Sequence, residues 1–262
     1  MSDKLQISRA GELEHWTIND AATRNALSEE VVDALMQACE RVAGDAALRF
    51  VVLQGSGGSF CAGGSLGGFA RSIGQALPAG ETDPLVALNA GFGRLLNALC
   101  ALPQILLVAV DGPAMGGGFG LVCCGDFVLA TSRAEFATPE VTLGVVPAQI
   151  APFVQRRLGD RVARQMMLSG QKISSTQALA LGLVDAVNDD LTAAVAQRIS
   201  QLRRAAPGAV AHTKSLLSLL NKAEAPVFAA QAAIKFAANL RSAEAVEGLA
   251  AFAQKRKPGW AA

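Results

Sequence analysis

Histidine is nearly absent: His15 and His212 are the only two in 262 residues, and they lie far apart. That scarcity excludes His-rich metal sites, and the acidic residues show no D-x-D or EF-hand spacing. Both histidines read as ordinary surface or boundary residues. Charge is also sparse, 17% of residues against roughly 25% in a typical soluble domain. The 23 basic and 22 acidic residues leave a net charge of +1, which argues against a nucleic-acid footprint. The five cysteines are odd in number and contain no C-x-x-C, and the adjacent Cys123 and Cys124 suit neither a disulfide framework nor a zinc site. Reduced thiols are the plain expectation. Continuous apolar runs such as residues 105–110 fall far short of the roughly 18 residues of a spanning helix. The polar stretch from Ser2 offers no signal-peptide h-region. A soluble, cytoplasmic protein is therefore expected.

What is present is apolar: 51% hydrophobic residues, enough for one large core without disulfides or metal. So few charges on so apolar a chain hint at surface buried against further copies of itself. The first half alternates strands with helices. Phe50-Val51-Val52-Leu53 and residues 104–110 are short apolar runs, as buried strands should be. Between Ser28 and Gly44, Val32, Leu35, Met36, Cys39 and Val42 form a helical stripe, with Ser28 as its cap. A short helix is expected over residues 117–124 and a strand over 127–130. Ser174 and Gln177 form a capping-box pair, and Ala-rich amphipathic segments follow at 191–204, 207–222, 226–240 and 242–257. Strands first and helices last suggest an α/β core with a helical appendage.

Two glycine-rich segments carry candidate chemistry. Residues 63–67 match G-x-S-x-G, the nucleophile elbow of serine hydrolases. That motif needs a strand running directly into the turn, and here the strand ends some ten residues earlier. Residues 112–120 follow a strand and open a helix, yet fit neither G-x-G-x-x-G nor a P-loop. Two readings stand side by side: a close turn that needs small residues, or bare amides at a helix N-terminus that receive a carbonyl oxygen or anion.

Several segments occur together in one order: residues 22–27, Ser59-Phe60-Cys61-Ala62-Gly63-Gly64, residues 111–118, residues 136–144, residues 180–185 and the tail from Glu247 to Pro258. In this the chain resembles the enoyl-CoA hydratase/isomerase (crotonase) family, from about residue 12 to 260. The resemblance implies an α/β fold, a crotonase-like spiral of ββα units over residues 1–195, carrying the active site. A C-terminal helical trimerisation region would follow over residues 196–262. It implies acyl-CoA thioester substrates, no cofactor beyond the substrate's own CoA, no metal, and a homotrimer or a hexamer built as a dimer of trimers. Nucleic-acid and membrane partners are not expected.

By position the resemblance assigns Gly64 and Gly117 as the two amides that hold the thioester oxygen while an enolate forms, and Glu140 as the catalytic carboxylate. Arg24, Ala62, Phe236 and Lys255 match positions that contact CoA. The segment 66–95, with Phe69, Ile73 and Leu77, would line the acyl pocket. Hydratases of the family usually carry two glutamates, and here Gly120 stands at the first position and Ser65 where an Asp is common. The run Pro147-Ala148-Gln149-Ile150-Ala151-Pro152-Phe153-Val154 looks like bacterial methylglutaconyl-CoA and isohexenylglutaconyl-CoA hydratases. Hydration of a branched, carboxylated enoyl-CoA is the favoured reading. The alternatives are a Δ3,Δ2-enoyl-CoA isomerase, for which one glutamate suffices, and a catalytically idle acyl-CoA-binding homologue. Restoring the carboxylate with Gly120→Glu is expected to raise hydration of crotonyl-CoA if the pocket admits it.

Overall fold

The computed structural model describes residues 3–64, 80, 83–220 and 243–261, apart from the side chains of residues 249, 252, 253 and 261. Strands β1 (Leu5–Ala10) and β2 (Leu13–Ile18) form an antiparallel hairpin. In β2 the alternate residues Glu14, Trp16 and Ile18 face inward. The buried Glu14 carboxylate is held by Trp16 Nε1 at 2.9 Å and by both Arg41 terminal nitrogens, at 2.9 and 2.6 Å. Arg41 lies on helix α1 (Glu29–Ala43), where the Ser28 hydroxyl accepts the Val31 N–H and Glu29 and Glu30 favour the positive end of the dipole. The helix is rotated slightly from its expected stripe. Val31, Leu35, Ala38, Cys39 and Val42 are buried, and Val32 and Met36 sit at the margin of the core.

The next three stretches repeat one plan: a strand in a large sheet, a strand or bridge in a small sheet, then a helix. The first comprises β3 (Phe50–Gly55), a bridge from Cys61 to Ala114, and helix α2 (Pro84–Ala101). The second comprises β4 (Ile105–Val110), β5 (Pro113–Met115) and α3 (Gly117–Cys124). The third comprises β6 (Phe127–Ala130), β7 (Glu135–Ala137) and α4 (Ala151–Ser169). A short strand β8 (Ile173–Ser174), helix α5 (Ser175–Ala180) and strand β9 (Ala186–Val187) close the core. Ser174 and Gln177 form the expected reciprocal capping box.

The large sheet runs β1-β2-β3-β4-β6-β9 and is parallel after the first hairpin, and the small sheet runs β5-β7-β8. All six residues of β4 are buried, as expected of a parallel strand covered on both faces. One face packs under α1, α2, α3 and α4, and the other, with Phe50, Val52, Leu107 and Leu129, under helix α6 (Leu191–Leu202). Helix α2 reaches the length and hydropathy of a membrane-crossing helix, 18 residues at a mean of 1.2. It is nonetheless packed on α1 and α3, with Gly93, Leu95, Leu96 and Leu99 buried.

Helices α7 (Pro207–Leu219) and α8 (Ala243–Ala253) complete the described chain. Ala206 has no side chain with which to cap α7, and Glu244 of α8 does so instead, accepting from the Gly208 and Ala209 amides. Arg49 fastens this region to the sheet by donating to the carbonyls of Arg203, Ala205 and Trp260. The expected helix at 226–240 lies outside the described residues.

Candidate active site

Cys61, Ala114 and Phe136 stand side by side across the small sheet. Gly64 and Gly117 each follow their member of that row by three residues, and Glu140 follows Phe136 by four. The repeated plan thus delivers the three candidates to one edge. Gly63 and Gly116 have φ of +99° and +51°, backbone that side-chain-bearing residues rarely adopt. They lie close together: a Cβ on Gly63 would stand 3.0 Å from the Met115 carbonyl oxygen and 3.9 Å from the Gly116 Cα.

The flanking backbone is held by hydrogen bonds: Leu27 N–H to Gly63 O at 2.8 Å, Met115 N–H to Cys61 O at 2.9 Å, and Gly116 N–H to Ala137 O at 2.9 Å. Among the described residues, no backbone hydrogen bond uses the amide of Gly64 or of Gly117. Gly117 opens α3, where a first-turn amide has no partner within the helix. Two donors on adjoining rigid segments suit an oxygen that gains negative charge during a reaction.

Glu140 lies in the 3₁₀ turn Pro139–Leu143. Its Oε1 is 2.9 Å from where a Cβ on Gly116 would stand, so the carboxyl group leans on the residue before Gly117. Its Oε2 is buried without a partner, as is Thr138 Oγ1. Burial raises the Glu140 pKa, partly opposed by a backbone hydrogen bond of the residue itself. The carboxyl is therefore poised both to give and to take a proton.

The position of the missing first glutamate is filled. A Cβ on Gly120 would overlap Ile150 Cγ2 and lie 3.7 Å from Leu96 Cδ1. Ile150 is buried, so a glutamate at residue 120 does not fit while this isoleucine remains.

Arg24 is exposed, yet its carbonyl accepts the Ala62 N–H at 3.0 Å, which brings these two CoA candidates together. Lys255 is exposed beside the Arg256–Glu247 ion pair, and among the described residues no hydrogen bond or ion pair joins it to the other candidates. Phe236, Ser65, Phe69, Ile73 and Leu77 lie outside the described residues. The G-x-S-x-G segment lacks the elbow geometry, because β3 ends at Gly55 and the chain bridges the small sheet at Cys61 before it reaches Gly63.

Two residues not singled out from the sequence shape the site. Asn25, buried at φ +60°, donates from Nδ2 to the Ser56 and Ser59 carbonyls at 2.9 and 2.7 Å and accepts the Asp20 N–H. It thereby holds the loop that leads to Gly63. Phe92 lays its ring against Gly117, with Cζ 3.3 Å from the position of a Cβ there.

The Enoyl-CoA hydratase/isomerase family profile matches residues 11–262. The chain belongs to this family. It is 33% identical over 258 residues to 2,3-dehydroadipyl-CoA hydratase of Escherichia coli, covering 97% of each chain. A crystal structure of an enoyl-CoA hydratase/isomerase from Marinobacter aquaeolei superimposes with a TM-score of 0.92 at 38% identity, covering 100% of both chains. Pseudomonas aeruginosa AtuE gives a TM-score of 0.93 at 39% identity, covering 99% of this chain and 100% of that one. The fold is the crotonase fold, and the protein is an enzyme of the enoyl-CoA hydratase type, a carbon–oxygen lyase acting on acyl-CoA.

Proposed function

We propose that the enzyme hydrates a branched, carboxylated enoyl-CoA of the glutaconyl type. The carrying observation is a single carboxyl group, Glu140, with Oε2 buried and without a partner, beside Gly116, and Ile150 filling the place of a second carboxylate. The amides of Gly64 and Gly117 would hold the thioester oxygen as water adds at C3. Charge grows on that oxygen during the addition, so fixed donors favour the transition state, by about 3 kcal/mol for one donor in comparable sites. Glu140 would take a proton from the attacking water and return one to C2. With only one carboxylate to orient water, a carboxylate carried by the substrate supplies additional fixation, and fixed geometry lowers a barrier by several kcal/mol. The E. coli relative, a 2,3-dehydroadipyl-CoA hydratase, supports a carboxylated chain.

Arg24 and Ala62 would contact CoA, with Phe236 and Lys255 reaching its adenine end. No further cofactor is required, and the reaction is assigned to the cytoplasm. Assembly as a trimer or hexamer is supported by α7, which has no buried residue. Leu217, Leu220 and Val246 are likewise exposed. Sedimentation at micromolar concentration should give a trimer or hexamer mass.

Double-bond isomerisation is the second reading, favoured by the same single carboxylate, which could carry a proton between C2 and C4. Product mass spectrometry in heavy-oxygen water separates the two. Label in the product of 3-methylglutaconyl-CoA, formed much faster than from crotonyl-CoA, is the expected result. Migration of the double bond in a 3-enoyl-CoA with no label from any substrate would establish the isomerase.

A further inference from the structure

The Pro-Ala-Gln-Ile run places a side-chain amide pair next to the candidate site. Gln149 Nε2 donates to Asn89 Oδ1 at 2.7 Å, joining the loop before α4 to α2. Both residues are half-buried. Asn89 lies one turn before Phe92, whose ring covers Gly117, and Gln149 precedes Ile150, which covers Gly120. The pair therefore sits about one helical turn, roughly 5 Å, along α2 from the ring that packs on the oxyanion-hole glycine.

Phe92, one turn from Asn89, and Ile150, next to Gln149 in the chain, are apolar. The fold makes special room for it: Gln149 Oε1 occupies the space that a Cβ on Gly93 would need. A glycine in mid-helix is unfavourable against alanine, so a small residue at this buried position is explained by the seat it gives Gln149. The pair also has unused capacity. One N–H and one carbonyl meet each other, and among the described residues no hydrogen bond uses Asn89 Nδ2, which carries two N–H donors.

We propose that Asn89 and Gln149 determine specificity by receiving the distal carboxylate of the acyl chain, with Asn89 Nδ2 donating to it and Gln149 holding Asn89 in place. This inference rests on the carboxylated-substrate reading above and locates the group that selects it. Donors to an ionised oxygen form hydrogen bonds roughly twice as strong as neutral ones, and a methyl group at the same place would leave the amides unpaired.

The test compares kcat/KM for 3-methylglutaconyl-CoA with that for 3-methylpent-2-enoyl-CoA, which has a methyl in place of the carboxylate. In the wild type the carboxylated substrate should be preferred. Asn89→Leu and Gln149→Leu should each lower its kcat/KM at least tenfold and leave the apolar analogue within threefold. Gly93→Ala, which displaces Gln149 without removing any polar group, should shift the ratio in the same direction. Equal losses on both substrates in folded variants would overturn the role of the pair and leave the substrate reading intact. A wild type without preference for the carboxylate would overturn both.

Discussion

Glu140 and Ile150 lie against successive turns at the start of α3: the carboxyl of the first leans on Gly116 and the methyl of the second covers Gly120. The start of this helix thus meets an acid, and its next turn meets hydrocarbon where hydratases of the family usually carry a second acid. The chemistry available to the enzyme follows from that pairing.

Gly120→Glu alone should fail to improve hydration of crotonyl-CoA, because its Cβ collides with Ile150. Overpacking of this kind costs about 1–3 kcal/mol. Combining it with Ile150→Gly should restore stability and raise the crotonyl-CoA rate above that of the wild type. Thermal melts and initial rates of the three proteins check both statements. A fast, stable single variant would show that the site opens more readily than its packing implies.

Glu140→Gln should lower turnover by roughly 10²-fold or more, the usual contribution of general acid–base catalysis, with little change in acyl-CoA affinity. The stability effect has a definite sign. Burial raises the Glu140 pKa in the folded state, so its contribution is complete below the unfolded value of about 4.3 and is lost as pH rises through the folded pKa. The Gln variant loses nothing over that interval. Its unfolding free energy relative to wild type should therefore increase from pH 4 to pH 8 in denaturant titrations, and a flat difference would remove the buried-acid account.

Arg41→Met should destabilise the protein at neutral pH by about 3 kcal/mol, because it leaves the buried Glu14 carboxylate largely uncompensated. The Arg41 hydrogen bonds, opposed by burial, hold the Glu14 pKa below its ordinary value. That stabilisation is present above the unfolded pKa of about 4.3 and disappears as pH falls through the folded one. Urea unfolding at pH 7 and pH 3 should show the gap between variant and wild type closing at the lower pH.

Cys100 should be the first thiol alkylated by iodoacetamide at pH 7. The Cys124 thiol and the Arg156 guanidinium, whose Nη2 is 2.9 Å from Cys100 Sγ, lower its pKa against the opposing effect of burial. Burial instead pushes Cys39, Cys61 and Cys123 up to about 12, and reactivity follows the thiolate. Peptide mass spectrometry over time should find Cys100 labelled well ahead, and Arg156→Leu should slow it. Uniform labelling of all five cysteines would contradict this.

Local signals were legible in the sequence where they were self-contained. Ser28 caps α1, the all-apolar β4 is buried on both faces, and Ser174 with Gln177 opens α5. Strands β5, β7, β8 and β9 have only two or three residues each, too few for an alternation to register. Helix α2 had a legible start in Asp83, whose side chain accepts the Leu85 N–H, followed by Pro84, but its stretch was read as pocket lining. The contact between Ile150 and Gly120 spans 30 positions and leaves no mark in either segment alone. Asn25 was visible as a residue, whereas its two long-range carbonyl partners were not.

Because Gly64, Gly117 and Glu140 each follow a different strand or bridge of one small sheet, no single turn of the chain contains the proposed centre. A nascent chain emerging from the ribosome exposes the first proposed donor, then the second, and the proposed acid last. Under the proposed roles of these three residues, turnover cannot begin before the third strand of that row has docked. A truncation between residues 117 and 140 would release a polypeptide that carries both of the glycines proposed as donors and lacks the proposed proton carrier.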